Sequence, residues 1–228
     1  MKPAASPLFV DELIQNSEKR AAISGNLLLT TTLSGRSVTT PAVLLVAFPD
    51  KLRLEIQDPM GGILGLLVLS GEKAWLYLQD KPEIYTGPFE RLPFGLFPRV
   101  SPEELVRIFL ARPYAEHLRH SDLANDSASY HAGDLSELVL WNPSLAEPGE
   151  WRQARLGQGG SNVVYEDYSF HAGLRYPTKV KLAVKDAQNN ERDLTLVWKD
   201  WDATVPKEKK LFQIPQQETY GRKIKALP

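Results

Sequence analysis

The sequence predicts a mainly β protein with a few helices, built on one strongly curved antiparallel sheet. From Ser24 onward, short apolar segments with a two-residue period follow one another, and turn sequences separate them. No helical crossover fits between these segments, so neighbouring strands must run antiparallel. A sheet of about ten or eleven strands tends to curl. We therefore expect an incomplete β-barrel with helices as a lid over its mouth.

The length of 228 residues suits a single domain with a sizeable core. We expect residues 1–228 to form one domain, with residues 1–6 as a disordered linker and residues 206–228 as a C-terminal extension. This extension carries six basic side chains against two acidic ones. It could bind anionic lipid head groups, but we favour a simple solvated extension.

Two helices are predicted from their start signals. Ser6 and Pro7 provide an N-cap and a first helical residue for a helix over residues 7–21. Ser101, Pro102 and Glu104 form a second such signal with a capping box. This helix should run to about Ala111 and pack on the sheet as a lid, because its apolar side chains share one face. Those side chains are Leu105, Ile108 and Phe109.

The strands are predicted from alternating apolar residues. In the first half of the chain they are Ser24–Thr32, Thr39–Phe48, Leu52–Gln57, Ile63–Ser70, Ala74–Leu78 and Glu83–Thr86. In the second half they are Leu135–Trp141, Trp151–Leu156, Val163–Phe170, Thr178–Lys185 and Asp193–Trp201. In Leu52–Gln57 the apolar residues face one way and Arg53, Glu55 and Gln57 face the other. This pattern predicts one dry face and one face in water.

Composition excludes several classes of protein. There are 27 basic and 28 acidic residues, so no global basic field favours nucleic acid. Arg and Lys do not cluster around the aromatic residues either. The absence of cysteine excludes disulfides, thiolate metal sites and cysteine nucleophiles. The longest apolar runs are far shorter than the roughly 18 residues of a membrane-spanning helix. We expect no cofactor and no nucleic-acid partner.

The sequence has no G-x-S-x-G elbow, no Walker A loop and no H-E-x-x-H motif, and we expect a protein that is not an enzyme. His117 and His120 are three residues apart and could bind a metal with Glu116 or Asp122. An exposed polar turn is the favoured interpretation, and a hydrolase using this region is the alternative. We predict no metal site.

The segment that stands out begins at Asp58 and ends at Leu67. Its turn carries Met60, three glycines follow, and the apolar residues Ile63, Leu64 and Leu66 lie among them. It is either a turn that runs into a buried strand, or an exposed apolar wedge for a membrane or a lipidated partner.

The chain resembles the LolB family of outer-membrane lipoprotein receptors, within the wider LolA/LolB-like group. The resemblance rests on the order and spacing of several segments, over about residues 8–205. These are Ile23–Leu27, Leu52–Ile56, Asp58–Gly61, Phe97–Pro113, Tyr176–Leu182 and Leu194–Trp201. LolB proteins have a Pro-Leu-Gly turn with a protruding leucine, and Met60 takes that place here.

The resemblance implies a protein that binds the acyl chains of lipoproteins in an apolar cavity and inserts them into the outer membrane. The lid would contribute Leu105, Ile108 and Phe109, and the concave face of the sheet would contribute Leu52, Leu54, Ile56, Val180, Leu182 and Trp198. The loop of Pro59, Met60, Gly61, Ile63 and Leu64 would enter the inner leaflet of the outer membrane.

The implied partners are acylated lipoproteins, a LolA-like periplasmic carrier and that inner leaflet, and we expect a monomer. The resemblance places the protein on the outer membrane, facing the periplasm and anchored by a lipidated N-terminal cysteine. Since the chain has no cysteine, we expect Met1 to replace a removed leader and anchor. Phe212–Pro215 is more similar to the soluble carrier LolA. A soluble periplasmic carrier is therefore the first alternative, and an envelope sensor or protein-binding domain is the second.

Overall fold

The computed structural model describes twelve stretches of the chain. They are residues 15–33, 35–92, 100–112, 122–124, 127–132, 135–140, 153–156, 161–171, 173–185, 191–204, 209–214 and 221–227. Structural statements below refer to these residues.

Strands make up most of the described chain. They are β1 (Ala22–Leu33), β2 (Arg36–Ala47), β3 (Lys51–Gln57), β4 (Ile63–Ser70), β5 (Lys73–Leu78), β6 (Glu83–Pro88), β7 (Asp122–Ala124), β8 (Ser127–Ala132), β9 (Leu135–Leu140), β10 (Gln153–Leu156), β11 (Ser161–His171), β12 (Leu174–Lys185), β13 (Glu191–Trp198) and β14 (Lys223–Ala226).

The helical elements are few and short. They are a helical segment at residues 15–18, a 3₁₀ helix at Phe89–Arg91, helix α1 (Pro102–Phe109) and a 3₁₀ helix at Lys209–Phe212. Within the described ranges, no helix has the length and apolar character needed to cross a membrane.

Eleven strands form one sheet in the order β10-β11-β12-β13-β1-β2-β3-β4-β5-β6-β14. Every neighbouring pair is antiparallel except β14 and β6, which are parallel. The sheet has two edges, β10 and β14, so it does not close into a barrel. The strands β7, β8 and β9 form a separate small sheet. These findings confirm the predicted mainly β fold with one long, open sheet.

The local signals in the sequence place most elements correctly. The predicted and observed bounds of β4 coincide, and β1, β2, β3, β5 and β6 differ from prediction by a few residues at most. Helix α1 begins with the predicted capping box. The Ser101 hydroxyl accepts from the Glu104 amide at 3.2 Å, and the Ser101 amide donates to the Glu104 carboxylate at 2.7 Å. Of the helix predicted at 7–21, residues 15–18 are helical, and residues 1–14 lie outside the described part.

Each face of the sheet carries a cluster of buried apolar side chains. Helix α1 packs on one face, which we call the lid face, together with the larger buried cluster. The opposite, outer face carries a second cluster that includes Leu66, Val68, Tyr77 and Ile84. Phe212 of the C-terminal 3₁₀ helix completes this second cluster and is 4% exposed.

The predicted water-facing side of β3 is therefore wrong at its centre. Arg53 is only 7% exposed. Its guanidinium donates to the carbonyls of Leu211 at 3.3 Å and Gln213 at 3.0 Å, and it forms an ion pair with Glu55. Because these carbonyls come from the C-terminal segment, the segment itself removes Arg53 from water.

The described residues of the predicted C-terminal extension are ordered on the sheet, although most of them, including all four residues of β14, are exposed to solvent. Strand β14 pairs with β6, and the Leu227 amide donates to the Thr86 carbonyl at 2.9 Å. Leu227 is 3% exposed and belongs to the cluster on the lid face. Leu227 and Phe212 thus lie in the apolar clusters of opposite faces.

One glycine permits a close approach between β1 and the chain that follows β13. Beyond Trp198 the backbone continues beside β1, where Ser24 and Asp202 form an antiparallel β-bridge. A Cβ at Gly25 would lie 2.2 Å from the Asp200 carbonyl oxygen and 2.8 Å from the Trp201 Cα. Only a residue without a side chain fits this approach.

We predict that Gly25→Ala destabilises the protein by about 1–3 kcal/mol, because backbone atoms must move to admit the new methyl group. Urea unfolding measures the change. The matched control is Gly65→Ala, since a Cβ at Gly65 would meet its neighbours at ordinary distances of 3.6 Å or more. Equal stability of the two variants would contradict the close approach.

The side chain of Asp200 also stabilises this approach. Its carboxylate accepts from the Asn26 amide at 2.9 Å and from the Asn26 side-chain amide at 3.0 Å. These hydrogen bonds stabilise the ionised form, so they lower the pKa of Asp200 below its ordinary value of 3.8. A carboxyl whose pKa is depressed by folding stabilises the folded state above the ordinary pKa and loses that contribution as the pH falls through the folded pKa.

We predict that Asp200→Asn flattens the acid limb of the stability curve. In the parent chain the free energy of unfolding should fall more steeply below about pH 4 than in the variant. Urea unfolding at intervals between pH 7 and pH 2 gives both curves. Identical slopes would show that Asp200 and Asn26 are not linked in solution.

Candidate functional site

The nine residues predicted to line a cavity meet on the lid face. Eight are buried in one cluster, and Ile56 is partly buried against it. The eight are Leu52, Leu54, Leu105, Ile108, Phe109, Val180, Leu182 and Trp198. The strands bring them together because alternate residues of β3, β12 and β13 point to the same side. Their role in binding a ligand stays a prediction.

Helix α1 is held on this face by polar groups as well as by packing. The last carbonyls of a helix have no partner within the helix and need another donor when they are buried. The Tyr165 hydroxyl donates to the Ile108 carbonyl at 3.0 Å, and the Tyr176 hydroxyl donates to the Phe109 carbonyl. Both tyrosines are buried, so the end of α1 is tied to β11 and β12.

Arg20 provides the third tie. Its guanidinium donates to the Ala111 carbonyl at 2.6 Å and to the Arg175 carbonyl at 3.0 and 2.7 Å. Arg20 is 2% exposed. Burial lowers the pKa of its guanidinium, yet arginine keeps its charge in proteins. Burial likewise raises the pKa of Tyr176, which therefore remains a hydroxyl donor.

The region around Arg20 is tightly packed. A pocket of only about 10 Å³ borders Arg20, Ile23, Leu110, Tyr176 and Trp201. A space of that size holds about one water molecule. Tyr176 packs edge-on against Trp198 at 6.1 Å and lies 5.4 Å from Trp201, measured between ring centres. In this conformation the end of α1 is closed against the sheet.

The loop between β3 and β4 is shaped by one carboxylate. The Asp58 Oδ1 accepts from the Met60 amide at 2.7 Å and from the Gly62 amide at 2.9 Å. The Asp58 amide donates to the Gly62 carbonyl at 2.8 Å, which closes the loop. Gly61 has φ 86°, a left-handed conformation that favours glycine.

This geometry exposes Met60. Its side chain is 94% exposed, Leu64 is 37% exposed, and Pro59 and Gly61 are also exposed. Ile63 is half-buried, and the strand becomes fully buried from Leu66 onward. The segment thus combines both interpretations drawn from the sequence: an exposed apolar tip, followed by a buried strand.

Several residues of this site carry no clear signal in the sequence. Arg20 follows Lys19 at the end of a polar helix, where a solvated charge is the ordinary expectation. Val163, Val164 and Tyr165 are consecutive apolar residues, so alternation alone does not place Tyr165 inward, and nothing in the sequence indicates its hydrogen bond to α1. The hydroxyls and the guanidinium matter here because main-chain carbonyls need them.

The histidine region remains outside this picture. His117 and His120 lie outside the described residues, as do residues 113–121 as a whole. Among the described residues, no group of three or more potential metal ligands occurs. Asp200 and Asp202 are both exposed, and they accept hydrogen bonds from Asn26 and Thr204, respectively.

We predict that Arg20→Met loosens α1 more than it loosens the sheet. The change removes the hydrogen bonds that Arg20 donates to the Ala111 and Arg175 carbonyls, which costs about 1–3 kcal/mol. Hydrogen exchange should speed up most at Leu110 and Ala111. Arg36→Met is the control, since Arg36 is exposed on β2. Uniform acceleration across β1 and β2 would contradict a local tie.

The fold has counterparts among solved structures. No family model matches the sequence, and no curated protein matches it significantly. A LolA superfamily protein from Nitrosomonas europaea is similar with a TM-score of 0.57 and 11% identity, over 90% of this chain and 97% of that one. A putative outer membrane lipoprotein-sorting protein domain from Vibrio parahaemolyticus is similar with a TM-score of 0.57 and 12% identity, over 89% of this chain and 97% of that one. The chain therefore has the LolA-like fold.

Proposed function

We propose that this protein is a non-enzymatic lipoprotein-binding protein that delivers acyl chains to a membrane, as a LolB-like receptor does. The observation that carries the proposal is Met60, an unbranched apolar side chain that is almost fully in water at the tip of a shaped loop. Burying such a side chain is worth about 1.5–3 kcal/mol. The free protein forgoes this stabilisation, and the loop would gain it when Met60 enters lipid.

The lid face supports the other half of the proposal. Burial of an acyl chain is worth about 0.8 kcal/mol per CH₂, so a sixteen-carbon chain in water costs on the order of 12 kcal/mol. A binding protein must therefore offer a large apolar surface. The cluster beneath α1 is such a surface, and it is built from aliphatic and aromatic side chains.

Acyl binding at this cluster requires α1 to move away from the sheet. Leu105, Ile108 and Phe109 are in contact with the sheet cluster and are 4% exposed or less. Withdrawal of α1 would open the space that these side chains fill. The hydrogen bonds of Tyr165, Tyr176 and Arg20 are at the C-terminal end of the helix, so this end would act as the fixed point.

The names of the two similar structures fit this proposal, since one is a LolA superfamily protein and the other is described as a lipoprotein-sorting domain. The partners would be acylated lipoproteins, a LolA-like carrier that presents them, and the inner leaflet of the outer membrane. The protein would then work at the periplasmic side of that membrane.

A soluble carrier is the second candidate. The ordered C-terminal segment favours it, because the sequence Phe212–Pro215 is more similar to LolA than to LolB and Phe212 and Ile214 pack on the outer face. A carrier would retain its lipoprotein in the presence of vesicles, whereas a receptor would release it.

We predict that Met60→Glu abolishes delivery but leaves the fold intact. A triacylated lipoprotein, presented on its soluble carrier, is mixed with liposomes with and without this protein. Transfer should fall more than about tenfold in the variant, because a carboxylate at the tip resists entry into lipid. The stability of the variant should stay within about 0.5 kcal/mol of the parent, since the side chain is exposed.

Met60→Leu is the matched control and should transfer like the parent. Transfer by the parent that persists in Met60→Glu would remove the loop from the mechanism. Tight retention of the lipoprotein without transfer would favour the carrier. If the protein neither transfers nor retains the lipoprotein, the proposal that it binds lipoproteins is refuted.

A further inference from the structure

The outer face of the sheet has a pocket that the proposed function does not use. Its volume is about 430 Å³, within the range of small-molecule sites. It lies on the face opposite α1, between the sheet and the C-terminal segment. Its apolar wall is made of Trp75, Ile84, Phe212, Ile214 and Ile224. We call it the outer-face pocket.

The strand register gives this pocket a polar end and an apolar end. Lys51 and Ser70 both line it and are directly opposite each other on β3 and β4, and Ser70 is in turn opposite Lys73 on β5. Ile84 and Ile224 are directly opposite each other on β6 and β14. Ile84 is opposite Tyr77 on β5, and Tyr77 is four residues from Lys73 along that strand. The two ends of the pocket are therefore about 13 Å apart.

Two ammonium groups are available at the polar end. The Lys51 Nζ lies 5.8 Å from the centre of the Phe212 ring, and the Lys73 Nζ lies 5.0 Å from the centre of the Trp75 ring. In the described part of the chain neither ammonium forms an ion pair with a carboxylate. Both cations therefore rest on the aromatic wall of the pocket with their remaining donors free for an anion.

We propose that the outer-face pocket binds a single-chain anionic amphiphile, with its carboxylate or phosphate at Lys51, Lys73 and Ser70. Its hydrocarbon chain lies over Trp75 and Phe212 and points toward Ile84 and Ile224. Two cations and a hydroxyl at one end complement an anionic head, because charge-assisted hydrogen bonds are the strong ones. The exposed side chain of Ile224, 69% in water, is covered by the end of the chain.

Amide chemical shifts locate the site directly. The isotope-labelled protein is titrated with dodecanoate and, separately, with dodecyl phosphate, both below the concentration at which they form micelles. Shifts should appear at Ser70, Trp75 and Ile224 with either probe if the head-group chemistry is shared. The probe that binds tighter identifies the preferred head, a carboxylate or a phosphate. Shifts confined to the lid face, or no shifts at all, would overturn the proposal.

Charge variants test the role of the two ammonium groups. The double variant Lys51→Gln, Lys73→Gln should bind dodecanoate at least about tenfold more weakly. It should bind the uncharged dodecyl maltoside as the parent does. Lys81→Gln is the control, because Lys81 is exposed in the β5–β6 turn and pairs with Asp80. Unchanged affinity in the double variant would mean that the lysines do not hold the head group.

Ile224→Asp tests the apolar end of the pocket and can be used even if the lysine variants unfold. Its side chain is exposed, so the fold should persist, but a carboxylate at the apolar end should abolish the shifts at Trp75. Because the lid face uses other residues, loss of binding here and loss of lipoprotein transfer with Met60→Glu are separate results.

Discussion

Three buried polar side chains at the end of helix α1 govern the arrangement of the lid face. Tyr165, Tyr176 and Arg20 donate to the carbonyls of Ile108, Phe109 and Ala111, respectively, at the end of this helix. An apolar helix could slide over an apolar sheet at little cost. Directed hydrogen bonds at one end allow only one position, so the packing of Leu105, Ile108 and Phe109 depends on them.

The sheet faces a second constraint, since its outer face is also apolar in the part formed by β4, β5 and β6. The lid face is covered by α1, and part of the outer face is covered by the C-terminal segment through Phe212 and the carbonyls that bind Arg53. The segment also extends the sheet by one parallel strand. The chain therefore needs its last residues to complete both the layering and the width of the sheet.

Much of the fold follows from local patterns. Alternation identifies β1 to β6, and the Ser101 and Glu104 pair marks the start of α1, because these signals arise between residues close in sequence. The same alternation in β3 and β12 brings the lid-face residues together. The exposure of Met60 could not be predicted from the sequence, which allowed either a buried or an exposed side chain.

Contacts with main-chain atoms of residues far along the chain could not be predicted from the sequence. Arg53 alternates with leucines and is expected in water, yet it binds carbonyls 158 and 160 residues away. Because every residue has a main-chain carbonyl, the residue type at the distant position does not indicate that it will accept this hydrogen bond. Arg20 escapes prediction for the same reason, as its acceptors are the carbonyls of Ala111 and Arg175.

The pairing of β1 with β13 and of β6 with β14 also bears on the order in which the protein can fold. The meander from β1 to β6 is made of neighbours in sequence and can form early, but on its own it has two open edges with unpaired amides and carbonyls. Both edges are closed only by strands from the last part of the chain, β13 and β14. A chain that lacks β13 and β14 therefore leaves the edges of β1 and β6 open to pairing with other molecules, and these two edges are paired only once the last part of the chain is in place.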